Sequence, residues 1–255
     1  KSALGDKFSL LTADQKLDSL EAGMKSTWMD GRLLVNVAAY IQEWKNAPSS
    51  SFITIYRDDN QDGVPNVNPN FDSAATSGSS KYYGLEIESA FQISDQWSAN
   101  LNLTFNENEY TTFTTATSSQ EAVLGTTTVD GNRAGRFPKW SGNFSSTYTQ
   151  QLTGDWEWFA RGDVNYMGKS LIGVTNLASL ESYFLVNTRM GVQRENLRIE
   201  FYIKNLLNED KWRGGQEFTD FSLIDAPGIF DFNKLGAILL PQDKRTFGLR
   251  SSITF

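Results

Sequence analysis

The chain has 255 residues, 39% of them hydrophobic and 21% charged, with a net charge of −7, no cysteine and no histidine. The two zeros remove disulfides, thiolate metal sites, Ser-His-Asp hydrolysis and most zinc chemistry, so no enzyme and no catalytic residue is expected. The acidic balance disfavours nucleic acid as a partner, and no apolar run approaches the ~18–20 residues of a membrane helix; the longest, Leu33 to Ile41, is broken by Asn36.

Period-two alternation of apolar and polar residues predicts nine strands in chain order. Leu20–Trp28 and Leu33–Trp44 come first, joined through Asp30-Gly31. Tyr83–Phe91 and Trp97–Asn106 follow; in the latter every odd position is apolar and every even one polar. Trp140–Gln150 and Trp156–Gly168 flank Gly154-Asp155. Tyr183–Gln193, Leu197–Leu206 and Arg245–Phe255 complete the set. Most are longer than the ~5–6 residues of ordinary globular strands and suit the ~9–11 that a tilted strand needs to cross a bilayer.

The gaps alternate as regularly as the side chains. Those at 29–32, 93–96, 153–155 and 194–196 are short, whereas those at 45–80, 112–138, 169–182 and 207–243 are long. The expected fold is therefore all-β: an antiparallel up-and-down meander with its large loops at one end. Charged residues within the strands fall on one parity, among them Glu86, Glu88, Arg161, Asp163, Arg189, Arg198, Glu200, Lys204 and Arg250. Alternation alone fits a transmembrane barrel with a wet lumen or a soluble sandwich. Tryptophan favours the barrel. Trp28, Trp97, Trp156 and Trp158 lie beside short turns, and Trp140 beside a long loop, all on the apolar parity, as interfacial girdles require.

Candidate sites lie in the long loops. Asp58-Asp59-Asn60-Gln61-Asp62-Gly63 matches the opening of a calcium loop, with Asp58, Asn60 and Asp62 as candidate ligands and Asp72 as a distant fourth. Position twelve is Pro69 rather than a bidentate Glu, so the full EF-hand pattern fails, and a solvated acidic turn explains the run equally well. Phe52, Tyr56, Tyr110, Trp212, Phe218 and Phe221 are candidate ligand-binding aromatics, or alternatively loop self-packing. The charges on the polar parity are candidates for steering cargo through a lumen, or for stiffening its wall as ion pairs. Glu86 and Glu88, roughly 7 Å apart on one strand face, also have tolerable glycosidase geometry.

Several segments resemble the C-terminal half of TonB-dependent outer-membrane receptors. They are Leu20-Glu21-Ala22-Gly23-Met24-Lys25-Ser26 with its following hairpin, Tyr83-Gly84-Leu85-Glu86-Ile87-Glu88, and Arg136-Phe137-Pro138-Lys139-Trp140. Further on come Ile203-Lys204-Asn205-Leu206-Leu207-Asn208 and the ending from Arg245 to the aromatic Phe255. The resemblance implies a Gram-negative outer-membrane transporter for a small-molecule nutrient such as a ferric siderophore, with no required cofactor. Outer-membrane lipid, upstream barrel strands, a plug domain and TonB are the implied partners. The Glu86 and Glu88 pair recurs as a scaffold feature of that family, which argues against catalysis. Residues 1–16 are expected to end an extracellular loop, and 17–255 to be barrel strands and loops. An odd number of strands in a meander cannot close antiparallel, so further strands and the plug are expected upstream. The alternatives are a passive porin-like channel and a soluble carbohydrate-binding sandwich.

Overall fold

In a computed structural model, which describes residues 14–55, 70–114, 117–220 and 234–254, the alternating segments become long strands. They begin with β1 (Lys16–Trp28), β2 (Leu33–Ile55), β3 (Asn70–Gln92) and β4 (Trp97–Thr112). A short helix, α1 (Ser118–Leu124), precedes β5 (Trp140–Thr153) and β6 (Trp156–Met167). The small pair β7 (Ser170–Leu171) and β8 (Ser179–Leu180) leads to β9 (Tyr183–Arg194) and β10 (Leu197–Lys204). A hairpin of β11 (Trp212–Thr219) and β12 (Leu235–Pro241) comes before β13 (Thr246–Ile253). Nine of these form one sheet in the order β1-β2-β3-β4-β5-β6-β9-β10-β13. Every neighbouring pair in it is antiparallel, as the meander requires.

Strand register separates the residues into two faces. One carries rows such as Leu101, Phe144, Val164 and Val186, aligned across β4, β5, β6 and β9. Its limits are set by aromatic rings at constant spacing. Phe91 and Tyr83, Trp97 and Phe105, Tyr148 and Trp140, and Trp158 and Tyr166 stand eight residues apart on β3, β4, β5 and β6. Eight rises of ~3.3 Å span about 27 Å of strand, or about 20 Å across a bilayer at the usual ~40° tilt. Rings of neighbouring strands touch along both rows: Phe105 with Trp140 at 4.9 Å and Tyr166 with Phe184 at 4.8 Å on one side, Tyr148 with Trp158 at 5.4 Å on the other. Above Leu20, Ile41 and Tyr83 the same face turns charged, with Asp18, Glu43, Lys81 and Glu109 in register. Apolar face, aromatic rims and a charged margin describe a lipid-facing wall.

Nothing covers that face among the described residues. Leu20 is 71% exposed and Leu249 75%, whereas the fully buried set is small and includes polar Asn108 and Ser119 beside Phe159. The sandwich alternative needs a second sheet packed on the apolar side. Apart from the nine-stranded sheet, the described residues hold only two-stranded sheets, made by the loops.

The loop expectations need three corrections. The gap at 45–80 is mostly ladder, because β2 and β3 stay paired out to Ile55 and Asn70 past a bulge between Trp44 and Ala47, where Asn46 adopts φ 54°. The sequence there, with Ser49-Ser50-Ser51 and the run from Ser73 to Ser80, carries no apolar–polar alternation to read. The gap at 112–138 holds α1, capped by Thr117 and ended by Gly125 at φ 68°. The gap at 207–243 holds β11 and β12. The strand expected to run to Leu206 stops at Lys204, because Asn205 takes a left-handed φ of 51°. Residues 1–13 of the expected loop end, and the terminal Phe255, lie outside the described residues.

Gly84 of β3 has a packing role. A Cβ there would meet the Tyr40 hydroxyl at 2.6 Å, because the Tyr40 ring lies over it and its hydroxyl accepts a 2.7 Å hydrogen bond from the Asn106 side-chain amide. The aromatic ring covers backbone that a glycine exposes.

Candidate functional site

Polar chemistry concentrates in two places: the second face of the sheet, and a canopy of loops above its long-loop end. On the polar face, Lys25, Asn36, Glu88, Asn102, Asn143 and Asn165 form one continuous row from β1 to β6. Asn36 donates a long 3.5 Å hydrogen bond to Glu88. Glu86 and Glu88 share a cavity of about 430 Å³ with Glu21 and Lys25, so this end of the wall is acidic.

The other end is basic. Arg161 pairs with Asp163 at 2.6 Å, and Glu200, 5% exposed, accepts from Arg198 at 3.1 Å and Arg250 at 3.4 Å. The Arg198 guanidinium also lies 3.8 Å from the centre of the Phe159 ring. A buried carboxylate is tolerable here because two guanidinium groups compensate its lost hydration. Arg161–Asp163 and Arg198–Glu200 lie within single strands, whereas Arg250–Glu200 joins β13 to β10. Arg189 and Lys204, on the same face, are in no such pair among the described residues.

The canopy is built by the three connections after β4, β6 and β10. Asn108, 1% exposed, accepts from the Ala134 N–H at 2.8 Å and ties the first connection to β4. Asn132 donates to the Val174 carbonyl at 2.8 Å, and Asn176 exchanges 2.8 Å bonds with the Arg133 backbone, joining the first connection to the second. The β11–β12 hairpin is then latched to both. Glu217 accepts from Gln120 of α1 at 3.1 Å and from the Thr175 hydroxyl, while Ser119 and Thr219 bond at 2.9 Å. Gly173 lets the Glu217 carboxylate approach, since a Cβ there would overlap it.

Two cavities open in the canopy. The larger, about 440 Å³, is lined by Arg136, Met167, Leu171, Leu180, Arg213 and Leu240, pairing apolar walls with two guanidinium groups. The smaller, about 320 Å³, is lined by Tyr110, Gln120, Ile172 and Glu217. Arg136 borders both and donates to Gln216 at 2.9 Å. Apolar surface with positive charge suits an amphipathic, anionic small molecule.

Of the candidate aromatics, Tyr110 lines the smaller cavity and stacks on Phe113 at 4.4 Å. Trp212 and Phe218 lie on β11, 47% and 45% exposed, and line neither cavity. The structure does not bring these three together. Tyr56, Phe221 and the calcium candidates Asp58, Asn60 and Asp62 lie outside the described residues, as does the side chain of Phe52. Among the described residues no group of three or more acidic side chains converges where a metal ion could sit. Sequence reading missed Arg136, Arg213, Gln216 and Glu217. The helix that meets Glu217 was signalled by the Thr117-Ser118-Ser119-Gln120 capping pattern and Gly125.

Replacing Glu217 by Ala removes the acceptor shared by Gln120 and Thr175. The expected result is a hairpin loosened by about 1–3 kcal/mol, read as several-fold faster proteolytic nicking between residues 212 and 241. Unchanged nicking would show that Glu217 is not the latch.

Residues 13–206 match the family described as TonB dependent receptor-like, beta-barrel. No curated protein matches the sequence. Among solved structures, the ferric yersiniabactin uptake receptor FyuA from Yersinia pestis superposes with TM-score 0.63 at 16% identity, covering 94% of this chain and 30% of that one. The ferric-catecholate import receptor Fiu from Escherichia coli K12, in its closed form, gives TM-score 0.59 at 20% identity, over 100% and 29% of the two chains. The ferric preacinetobactin receptor BauA from Acinetobacter baumannii gives 0.56 at 19%, over 93% and 29%. The chain spans under a third of the length of these receptors.

Proposed function

From the premise that this chain belongs to the TonB-dependent receptor β-barrel family of the Gram-negative outer membrane, we propose that it is one section of a receptor wall whose whole protein imports a scarce nutrient, a ferric siderophore in the first instance. Cargo would bind beneath the canopy, TonB would supply the energy through a plug elsewhere in the receptor, and the polar face would line the passage. The observation that carries this reading is the family match over residues 13–206, supported by the apolar band between two aromatic rows. The likeness to receptors named for ferric siderophores supports the cargo class. The amphipathic, basic cavity at Arg136 and Arg213 also suits such a chelate. The work expected of this chain is binding and passage, not bond chemistry.

Radio-iron uptake by cells carrying or lacking the whole gene tests the proposal, using ferric catecholate, hydroxamate and mixed phenolate chelates. Uptake of one chelate class should vanish on deletion and also when a protonophore collapses the energy supply. Uptake that survives the protonophore would favour the passive channel instead.

A further inference from the structure

The register of the basic wall sets two cations apart. Arg189 on β9 stands directly opposite Arg161 on β6. Like charges in direct cross-strand opposition destabilise a sheet unless something neutralises them. Asp163 neutralises Arg161 at 2.6 Å. Arg189 has no ion-pair partner among the described residues, and its Nε is buried without a hydrogen-bond partner.

On its other side Arg189 faces Tyr202 of β10. The Tyr202 ring lies over Gly248, where a Cβ would come within 2.6 Å of the hydroxyl. Lys204 and Arg250 flank that ring, 5.8 Å and 5.5 Å from its centre. Arg250 is committed to Glu200, which also holds Arg198, whereas Lys204 makes no ion pair among the described residues. The five cations of this wall, Arg161, Arg189, Arg198, Lys204 and Arg250, face three carboxylates, Glu157, Asp163 and Glu200; Glu157 accepts from Gln193, and ion pairs engage only Arg161, Arg198 and Arg250. One cavity of about 210 Å³ holds both unpaired cations, Arg189 and Lys204, together with Arg250 and the carboxylates of Asp163 and Glu200, which are already engaged by Arg161 and by Arg198 and Arg250.

We infer that this cavity is an oxyanion site, in which Arg189 and Lys204 seat a carboxylate. The planar guanidinium matches a carboxylate edge with two parallel hydrogen bonds, and the ammonium adds a point charge from the side. An anion there supplies the counter-charge that Arg189 lacks, its Nε being buried without a partner, and that Lys204 lacks beside it. The inference rests on reading the polar face as the lumen wall. The carboxylate belongs either to anionic cargo in passage or to an acidic side chain from another part of the receptor.

Crystals of the whole receptor soaked in selenate, an oxyanion visible by anomalous scattering, separate the sources. A selenate peak at Arg189 and Lys204 that disappears in Arg189→Gln establishes a site open to free anions, as cargo requires. An Asp or Glu of the receptor already seated there establishes the same chemistry with the chain as its own occupant. Citrate titrated into the detergent-solubilised receptor gives a second readout. In the open case Arg189→Gln and Lys204→Gln should each bind roughly tenfold more weakly, with Arg189→Lys intermediate. Unchanged heat-modifiable migration on gels confirms that the variants are folded. No selenate, no seated carboxylate and equal citrate heats would overturn the site. Selenate at Arg189 in a receptor that fails every iron-uptake assay would keep the site and reject the transport reading.

Discussion

Leu101→Arg is expected to destabilise the folded wall by about 2–4 kcal/mol, while Asn102→Arg leaves it nearly unchanged. Leu101 lies four residues from Trp97 and four from Phe105, midway between the two aromatic rows of β4. It is 40% exposed on the apolar face, in register with Phe144 of β5. A guanidinium there sits at the bilayer midplane, where the cost of a charge is greatest. Asn102, one residue on, projects to the opposite face opposite Glu88 and Asn143, where an added cation meets water and a carboxylate. Urea titration of the whole receptor refolded into lipid vesicles checks the pair. Equal losses in the two variants would mean that the faces are not what the register implies.

The second large effect is expected at Asn205, just past β10. Its side chain is 3% exposed and serves three backbone groups: it donates to the Glu209 and Asp243 carbonyls, both at 2.8 Å, and accepts from the Glu209 N–H at 2.7 Å. Its own N–H donates to Asn187 at 2.9 Å, and its backbone is left-handed at φ 51°. Ala at this position strands those groups and adopts an unfavourable φ, for a combined cost of about 3–4 kcal/mol. Asn205→Gly removes the conformational part of the cost and should recover about 1 kcal/mol. The same urea titration reads both. A loss below 1 kcal/mol in Asn205→Ala would show that the turn does not depend on this side chain.

These two residues also show what was legible in the sequence and what was not. The alternation around Leu101 is a local, period-two signal, and it located all nine strands of the sheet, because a one-residue slip would turn every side chain to the wrong face. The upper half of the β2–β3 ladder carried no such signal, because its sequence is rich in serine and alanine and does not alternate. Asn205 was visible within the Asn-Leu-Leu-Asn segment, but its hydrogen bonds to Asp243 and Asn187 join residues far apart in sequence. The same limit hid Glu217, which meets Gln120 and Thr175 from three different connections. Tyr110 was legible as a loop-end aromatic, yet whether it would share a cavity with Trp212 or Phe218 depended on a hairpin that two adjacent glycines, Gly214 and Gly215, made hard to read as strand.

The account's central claim is that one face of this sheet meets lipid and the other meets water. These 255 residues contain no cysteine, so, with any cysteine elsewhere in the receptor changed to serine, a spin label can be attached at one introduced cysteine at a time. Labels placed singly at positions 98 to 105 of β4, in the whole receptor in lipid vesicles, should alternate residue by residue. Odd positions should collide with dissolved oxygen, which partitions into lipid, and even positions with a water-soluble nickel chelate, with the oxygen maximum at position 101. Labels equally accessible to both reagents at every position, or the opposite parity, would contradict it.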